Sequence, residues 1–306
     1  MVSNPEERGI PKAFWKRVRL TLDMIKFEHS VFALPFALTG AFLAAREFQL
    51  NSGFILNRLL WIVVAMVGAR SAAMAFNRIL DADIDARNPR TKNRHIPAGI
   101  LTTSFAWGFV TISGLVFILA ARMLNPLCFK LSPVALAVVL FYSFTKRFTS
   151  LSHIVLGFSL GIAPAAAWIA MAGSLDPRIL WLTAAVTCWT AGFDIIYSCQ
   201  DYEFDVHSGL FSIPRRFGIA TGLWIARLLH VAMVCCLSAL VLQFQLGWLA
   251  MAGVAAVVAL LAYEHSLVKA NDLSRVDAAF FTVNGYVSVL FFFFWAADMY
   301  LHKVGA

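Results

Sequence analysis

The sequence predicts an all-α polytopic membrane fold of nine transmembrane helices, and three observations lead there. Apolar residues fill 60% of the 306 positions and charged residues only 14%, against about 25% charged in an ordinary soluble domain. Mean hydropathy is +0.75, with 27 Phe and 9 Trp. Nine apolar windows follow one another along the chain, each close to the roughly 20 helical residues that cross a bilayer core. This composition excludes a water-soluble globule, a disordered tail and a disulfide scaffold.

Residues 1–26 come first as a basic segment carrying Arg8, Lys12, Lys16, Arg17, Arg19 and Lys26. They lack a short apolar core followed by a small-residue cleavage site, so no cleaved signal peptide is predicted. The windows then run 30–48, 55–79, 102–121, 126–144, 153–173, 179–199, 219–241, 246–263 and 278–300, forming one integral-membrane domain over 1–306. In the fifth, Gly157 and Gly161 ahead of Pro164 read as small residues that let helices pack closely. In the ninth, the FFFFW run at 291–295 reads as lipid-facing surface. Five cysteines without C-x-x-C spacing read as packing residues.

Orientation follows from Lys and Arg. With the N-terminus cytoplasmic, sixteen fall on the inside segments and six on the opposite side, so the positive-inside rule places the C-terminus outside. A bacterial inner membrane is the expected location. The formal +8 is then mostly a cytoplasmic-face excess, which calls for no nucleic acid and suits anionic lipid or an anionic substrate. No obligate protein partner is implied.

Two stretches carry chemistry. Asn77-Arg-Ile-Leu-Asp81-Ala-Asp83-Ile-Asp85 ends the second window, and Tyr197-Ser-Cys-Gln-Asp201-Tyr-Glu203-Phe-Asp205 ends the sixth. A four-residue step turns about 400° on a helix, so Asn77, Asp81 and Asp85 share a face, as do Tyr197, Asp201 and Asp205. Asp83 and Glu203 point elsewhere. One D-x-x-x-D at a helix end reads as a solvated cap, but two copies continuous with membrane helices read as ligands. Two such faces across one cavity repel each other without cations. All-oxygen ligands suit Mg²⁺, which keeps waters and shares its carboxylates with substrate phosphates. Arg87, Arg90, Lys92, Arg94, Lys146 and Arg147 lie between the stretches as counter-charges for phosphate, with Arg94 and Lys146 the leading pair.

Two ionisable residues sit at membrane depth. Arg70 lies seven residues before Asn77 and Asp194 seven before Asp201, so each shares the face of its acidic stretch. Arg70 is read either as half of an ion pair with Asp194 or as a ligand for a substrate carboxylate or the carboxylate network. Asp194 is read as a supporting or proton-handling residue. Lys26, Glu28, His29, Ser30 and Asn284 are pocket candidates, with cap and packing roles equally open.

These residues resemble the UbiA-type membrane aromatic prenyltransferases, whose motifs are N-D-x-x-D-x-x-x-D and D-x-x-x-D. The resemblance continues through Arg90-Thr91-Lys-Asn-Arg94, Pro97-Ala-Gly99, Tyr142-x-x-x-Lys146 and Asp194-x-x-Tyr197. It implies helices around a central cavity, open sideways to lipid and capped by two acidic cytoplasmic loops. Mg²⁺ is implied between Asp81, Asp85, Asp201 and Asp205 and a polyprenyl diphosphate, with Asn77, Arg90, Arg94 and Lys146 nearby. Tyr142 and Tyr197 are candidates for an aromatic wall around the allylic cation. Arg78 replaces the family's second-position Asp, and Gly209 stands where some members have a third Asp. Lys26-Phe-Glu-His29-Ser-x-Phe-Ala-Leu-Pro35 is most similar to bacterial quinone-pathway members acting on 4-hydroxybenzoate or a dihydroxynaphthoate in ubiquinone or menaquinone synthesis. Haem O synthase relatives share the acidic motifs. A secondary transporter coupling through Arg70 and Asp194 is the competing class.

Overall fold

The computed structural model describes residues 12–26 and 32–304, and its long elements are helices wherever the apolar windows lie. An amphipathic helix α1 (Lys12–Met24) precedes α2 (Leu34–Glu47) and α3 (Ser52–Leu80), which runs on through a short α4 (Ala82–Arg87). Then come α5 (Thr103–Leu124), α6 (Pro126–Thr145), α7 (Ser152–Ala172) and α8 (Leu180–Ser198). Short helices α9 (Tyr202–Ser208) and α10 (Ile213–Phe217) lead to α11 (Ile219–Gln243), α12 (Trp248–Leu267) and α13 (Asn284–Val304). The starts of α3, α5 and α6 are fixed by side-chain caps. Asn51, Thr102 and Asn125 accept from the backbone N–H of Phe54, Phe105 and Cys128 at 2.9, 3.2 and 2.8 Å, satisfying donors that a helix N-terminus leaves open.

Among the described residues, eight helices are long and apolar enough to cross a membrane, so the count of nine is not reached. The exception is the first window: α2 has 14 residues, about 21 Å at 1.5 Å per residue. It is nonetheless central, with Phe36, Ala37, Ala41 and Ala44 fully buried and its flanks against α7 and α13. Glu28, His29 and Ser30 lie outside the described residues.

Helix α7 is a hub, packed on α2, α6 and α8. A Cβ at Gly157 would lie 2.3 Å from the Thr187 carbonyl oxygen, and one at Gly161 would lie 2.7 Å from that of Thr183. The two glycines therefore set the α7–α8 approach, as the sequence suggested. Gly157→Val is expected to lower thermal stability by about 1–3 kcal/mol, the usual cost of overpacking. Unfolding of purified protein in detergent measures it, and an unchanged midpoint would mean the helices are not in close contact there.

The aromatic run behaves otherwise than expected. Phe293 is exposed, but Phe291 and Trp295 are fully buried, because a helix turns about 100° per residue and carries part of any consecutive run inward. Phe291 stacks on Phe36 at 4.8 Å, Phe36 meets Trp189 at 4.9 Å, and Trp189 meets Phe193 at 5.0 Å. Phe193 contacts Phe280 at 5.2 Å, and Phe280 contacts Tyr197 at 4.2 Å. An aromatic column thus runs from the core to the second acidic segment. Asn284 serves packing: it is fully buried, donates to Glu264 Oε1 (3.0 Å) and accepts from Trp189 Nε1 (2.7 Å). It also donates to the carbonyls of Ala279 and Phe280 beside the π-helical turn Ala278–Val283.

Candidate active site

Helix α3 ends at Asp81, yet the four-residue spacing survives the break. Asp81 N–H donates to Asn77 O at 2.9 Å and Asp85 N–H to Asp81 O at 2.7 Å. Asp81 and Asp85 are consequently buried, 2% and 3% exposed, while Asp83 faces out. In the second segment a 3₁₀ turn over Cys199–Asp201 passes into α9, where Asp205 is buried and Glu203 exposed. Gly209 ends α9 with φ +74°, a left-handed conformation that glycine adopts without strain. That requirement accounts for glycine at this position.

Basic side chains converge on these carboxylates. Lys146 Nζ donates to Asp81 Oδ2 at 2.5 Å, joined by Asn77 Nδ2 at 3.0 Å, and Arg147 Nη2 reaches Oδ1 at 3.1 Å. Arg94 Nη1 donates to both oxygens of Asp85 at 2.7 and 2.8 Å. Asp201 receives Arg90 twice, through Nε at 2.9 Å and through Nη2, and Asn88 Nδ2 at 2.9 Å. Arg90 and Asn88 follow the first acidic stretch and bind the second, so they strap the two together. Burial disfavours charge on Arg90, but its bonds to Asp201 and Tyr197 outweigh this and hold its pKa above the ordinary arginine value.

The resemblance implies one Mg²⁺ between all four carboxylates. Among the described residues no three His, Cys, Asp or Glu side chains form a metal-holding group, and arginine, lysine and asparagine donate to the carboxylate oxygens instead. Mutual repulsion gives the reason: carboxylates facing one space take whatever cation reaches them. Asp205 lies in electrostatic reach of Asp201, Lys146 and His153. Arg90 thus joins Arg94 and Lys146 among the basic side chains held against the acidic segments.

The Arg70–Asp194 ion pair is absent. Asp194 Oδ2 is 2.7 Å from His153 Nδ1, and His153 Nε2 accepts from Ile213 N–H at 3.3 Å, which assigns the proton to Nδ1. Arg70 keeps a buried Nε with no hydrogen-bond partner among the described residues, and Tyr142 is in its electrostatic reach. Arg78 is buried, and its Nε donates to Met24 O at 3.3 Å, tying α1 to α3. Tyr197 Oη accepts from Arg90 Nη1 at 2.9 Å, with the guanidinium carbon 5.1 Å from the ring centre, so Tyr197 joins aromatic column to acidic site.

Two contributors escaped the sequence reading. Asn88 stands three residues after Asp85 on the same helical face, a spacing that would have marked it. His153 is a lone histidine in the first turn of α7 and carried no signal.

Comparison with known proteins agrees with this architecture. The pattern of the UbiA prenyltransferase family matches residues 33–300. The 4-hydroxybenzoate octaprenyltransferase of Vibrio vulnificus is 32% identical over 243 residues, 78% of this chain and 84% of its own. That of Shewanella denitrificans is 29% identical over 244 residues, 80% and 83% of the two chains. Among solved structures, the apo form of a UbiA homologue from Aeropyrum pernix K1 superposes with a TM-score of 0.80 at 33% identity, covering 89% of this chain and 98% of its own. A UbiA homologue from Archaeoglobus fulgidus bound to GPP and Mg²⁺ has the same fold, with a TM-score of 0.72 at 18% identity over 92% and 99% of the chains. The family pattern spans most of the chain, including both strapped acidic segments, so this integral membrane protein belongs to the UbiA prenyltransferase family.

Proposed function

We propose that the chain transfers a polyprenyl group from a polyprenyl diphosphate to an aromatic acid, 4-hydroxybenzoate or a dihydroxynaphthoate, with Mg²⁺. The observation that carries this reading is the pairing of Asp81, Asp85 and Asp201 with Lys146, Arg147, Arg94 and Arg90 at one end of the bundle. Such a site holds anionic oxygens and cationic donors together, as a metal diphosphate requires. The names of the bacterial relatives support the acceptor class, and the basic balance of the loops supports a cytoplasmic N-terminus in the inner membrane.

The donor set fits Mg²⁺ by chemistry, because three buried carboxylates and the partly exposed Asp201 supply hard oxygen ligands. Asp81, Asp85, Asp201 and Asp205 would hold it, and when bound it neutralises charge on the departing diphosphate. The protein's part is distinct. Lys146, Arg94 and Arg90 sit beside these carboxylates, placed to donate to phosphate oxygens as the allylic C–O bond breaks and negative charge grows. Tyr197, Phe280 and Phe193 form a wall that shields the allylic carbon from water and faces its positive charge with ring electrons. Asp194, fixed by His153, supports the end of α8 beneath Asp201. Arg70 supplies the acceptor's anchor: a buried guanidinium with an unpartnered Nε, on the Asn77 face of α3, suits an aromatic carboxylate.

The test is incubation of membranes with labelled geranyl diphosphate and a panel of 4-hydroxybenzoate, a dihydroxynaphthoate and haem, followed by product mass. A prenylated aromatic acid formed only with Mg²⁺ is expected, and transfer to haem alone would overturn the acceptor assignment. Arg70→Gln is expected to raise KM for the aromatic acid about tenfold or more, the cost of losing a charge-assisted bond, with KM for geranyl diphosphate little changed. Asp83→Asn and Glu203→Gln are expected to keep kcat within about threefold, since both side chains are exposed and away from the carboxylate faces. A larger loss in either would mean that the exposed acids contact substrate.

A further inference from the structure

The junction of α6 and α7 carries a basic pocket and an apolar groove that lie outside the paired carboxylates. The pocket, of about 380 Å³, lies between Phe148, Thr149 and Ser150 on one side and Phe211, Arg215 and Arg216 on the other. Neither guanidinium has a carboxylate partner among the described residues. Arg215 Nη1 donates to Leu210 O at 2.6 Å and its guanidinium lies 5.0 Å from the Phe211 ring. Arg216 lies 5.1 Å from the Phe217 ring. The groove, of about 530 Å³, runs between α6 and α7 with Phe141, Phe144, Val155 and Phe158 among its walls and almost no polar surface. Phe148 walls the pocket and Phe141 the groove, and their rings lie 6.2 Å apart, so the two cavities adjoin.

We propose that this seam binds one anionic phospholipid, its phosphodiester between Arg215 and Arg216 and one acyl chain along the groove. A basic head pocket adjoining an apolar furrow on membrane-crossing helices matches an amphiphile with one anionic group and one hydrocarbon arm. Guanidinium groups bind phosphate through paired N–H donors. A prenyl diphosphate fits less well, because no carboxylate lines the pocket to share a metal with its higher charge. Orientation charges alone would attract anionic lipid without holding a chain.

The experiment is native mass spectrometry of the full-length protein in detergent, titrated with POPG or POPC. Retention of one POPG and no comparable POPC is expected. Arg216→Gln is expected to weaken POPG retention about fivefold, from roughly one surface-charge increment. Val155→Trp is expected to weaken it by filling the groove while both arginines remain. Because Arg215 also bonds the chain at Leu210, Arg216→Gln and Val155→Trp decide the matter, each checked for an unchanged melting midpoint. Equal retention of POPG and POPC, or wild-type POPG retention in both variants, would overturn the proposal. So would one-for-one displacement of POPG by geranyl diphosphate, which would make the pocket part of the substrate's path.

Discussion

Asp81→Ala or Asp201→Ala is expected to reduce prenyl transfer by about a hundredfold to a thousandfold while the protein still inserts into the membrane, a loss of the size seen when preorganised charge stabilisation is removed. Each carboxylate is the meeting point of several donors. Asp81 gathers Asn77, Lys146 and Arg147, and Asp201 gathers Asn88 and Arg90. Alanine removes the oxygen ligands and leaves neighbouring cations without their common anion. Some loss of stability is expected too. The basic partners are about one-third exposed, so water compensates part of it, and about 1–3 kcal/mol is the expected range. Asp81→Asn separates the effects, because it keeps the shape and some of the hydrogen bonding but lowers the charge. Turnover of labelled geranyl diphosphate, measured beside the detergent melting midpoint, decides the point. Near-normal kcat in either alanine variant would remove that carboxylate from the reaction.

The helix windows and the shared carboxylate faces were legible because both rest on local periodicity. Eight windows became long helices, and Asp81, Asp85 and Asp205 were buried while Asp83 and Glu203 were not. What escaped depended on partners distant in sequence. Arg90 meets Asp201 across 111 residues and Lys146 meets Asp81 across 65, distances over which composition says nothing about pairing. Charge alone suggested Arg70 with Asp194, yet a histidine on α7 took the carboxylate. The FFFFW run failed for another reason: a consecutive apolar run has no periodicity by which to tell lipid from core. Phe36, itself unremarkable in sequence and packed on Trp189, supplies the ring contact that holds Phe291 inward.

Lys146→Ala is expected to lower kcat by about two to three orders of magnitude, or ~2–4 kcal/mol of transition-state stabilisation, typical for loss of a preorganised donor to developing charge. Lys146 closes α6, and its backbone carbonyl accepts from Phe211 N–H at 2.8 Å, so its position is fixed from the far side of the second acidic segment. Its ammonium sits on Asp81 at 2.5 Å, within the set proposed to hold Mg²⁺ and diphosphate. A lysine that served only membrane orientation would be replaceable by any nearby positive charge, and Arg147 stands next to it. Arg147 is already committed, however: it donates to Ser143 O at 2.7 Å and Leu80 O at 2.8 Å as well as to Asp81. Removing Lys146 therefore leaves Arg147 held by its other bonds and not free to fill its place. Lys146→Arg restores charge but not a compact ammonium, so its kcat is expected to fall between wild type and Lys146→Ala. Arg94→Ala is expected to resemble Lys146→Ala, because among the described residues Arg94 alone donates to both oxygens of Asp85. Mg²⁺-dependent turnover at varied geranyl diphosphate concentration separates kcat from KM. A correctly inserted Lys146→Ala protein with wild-type values of both would reduce Lys146 to an orientation charge.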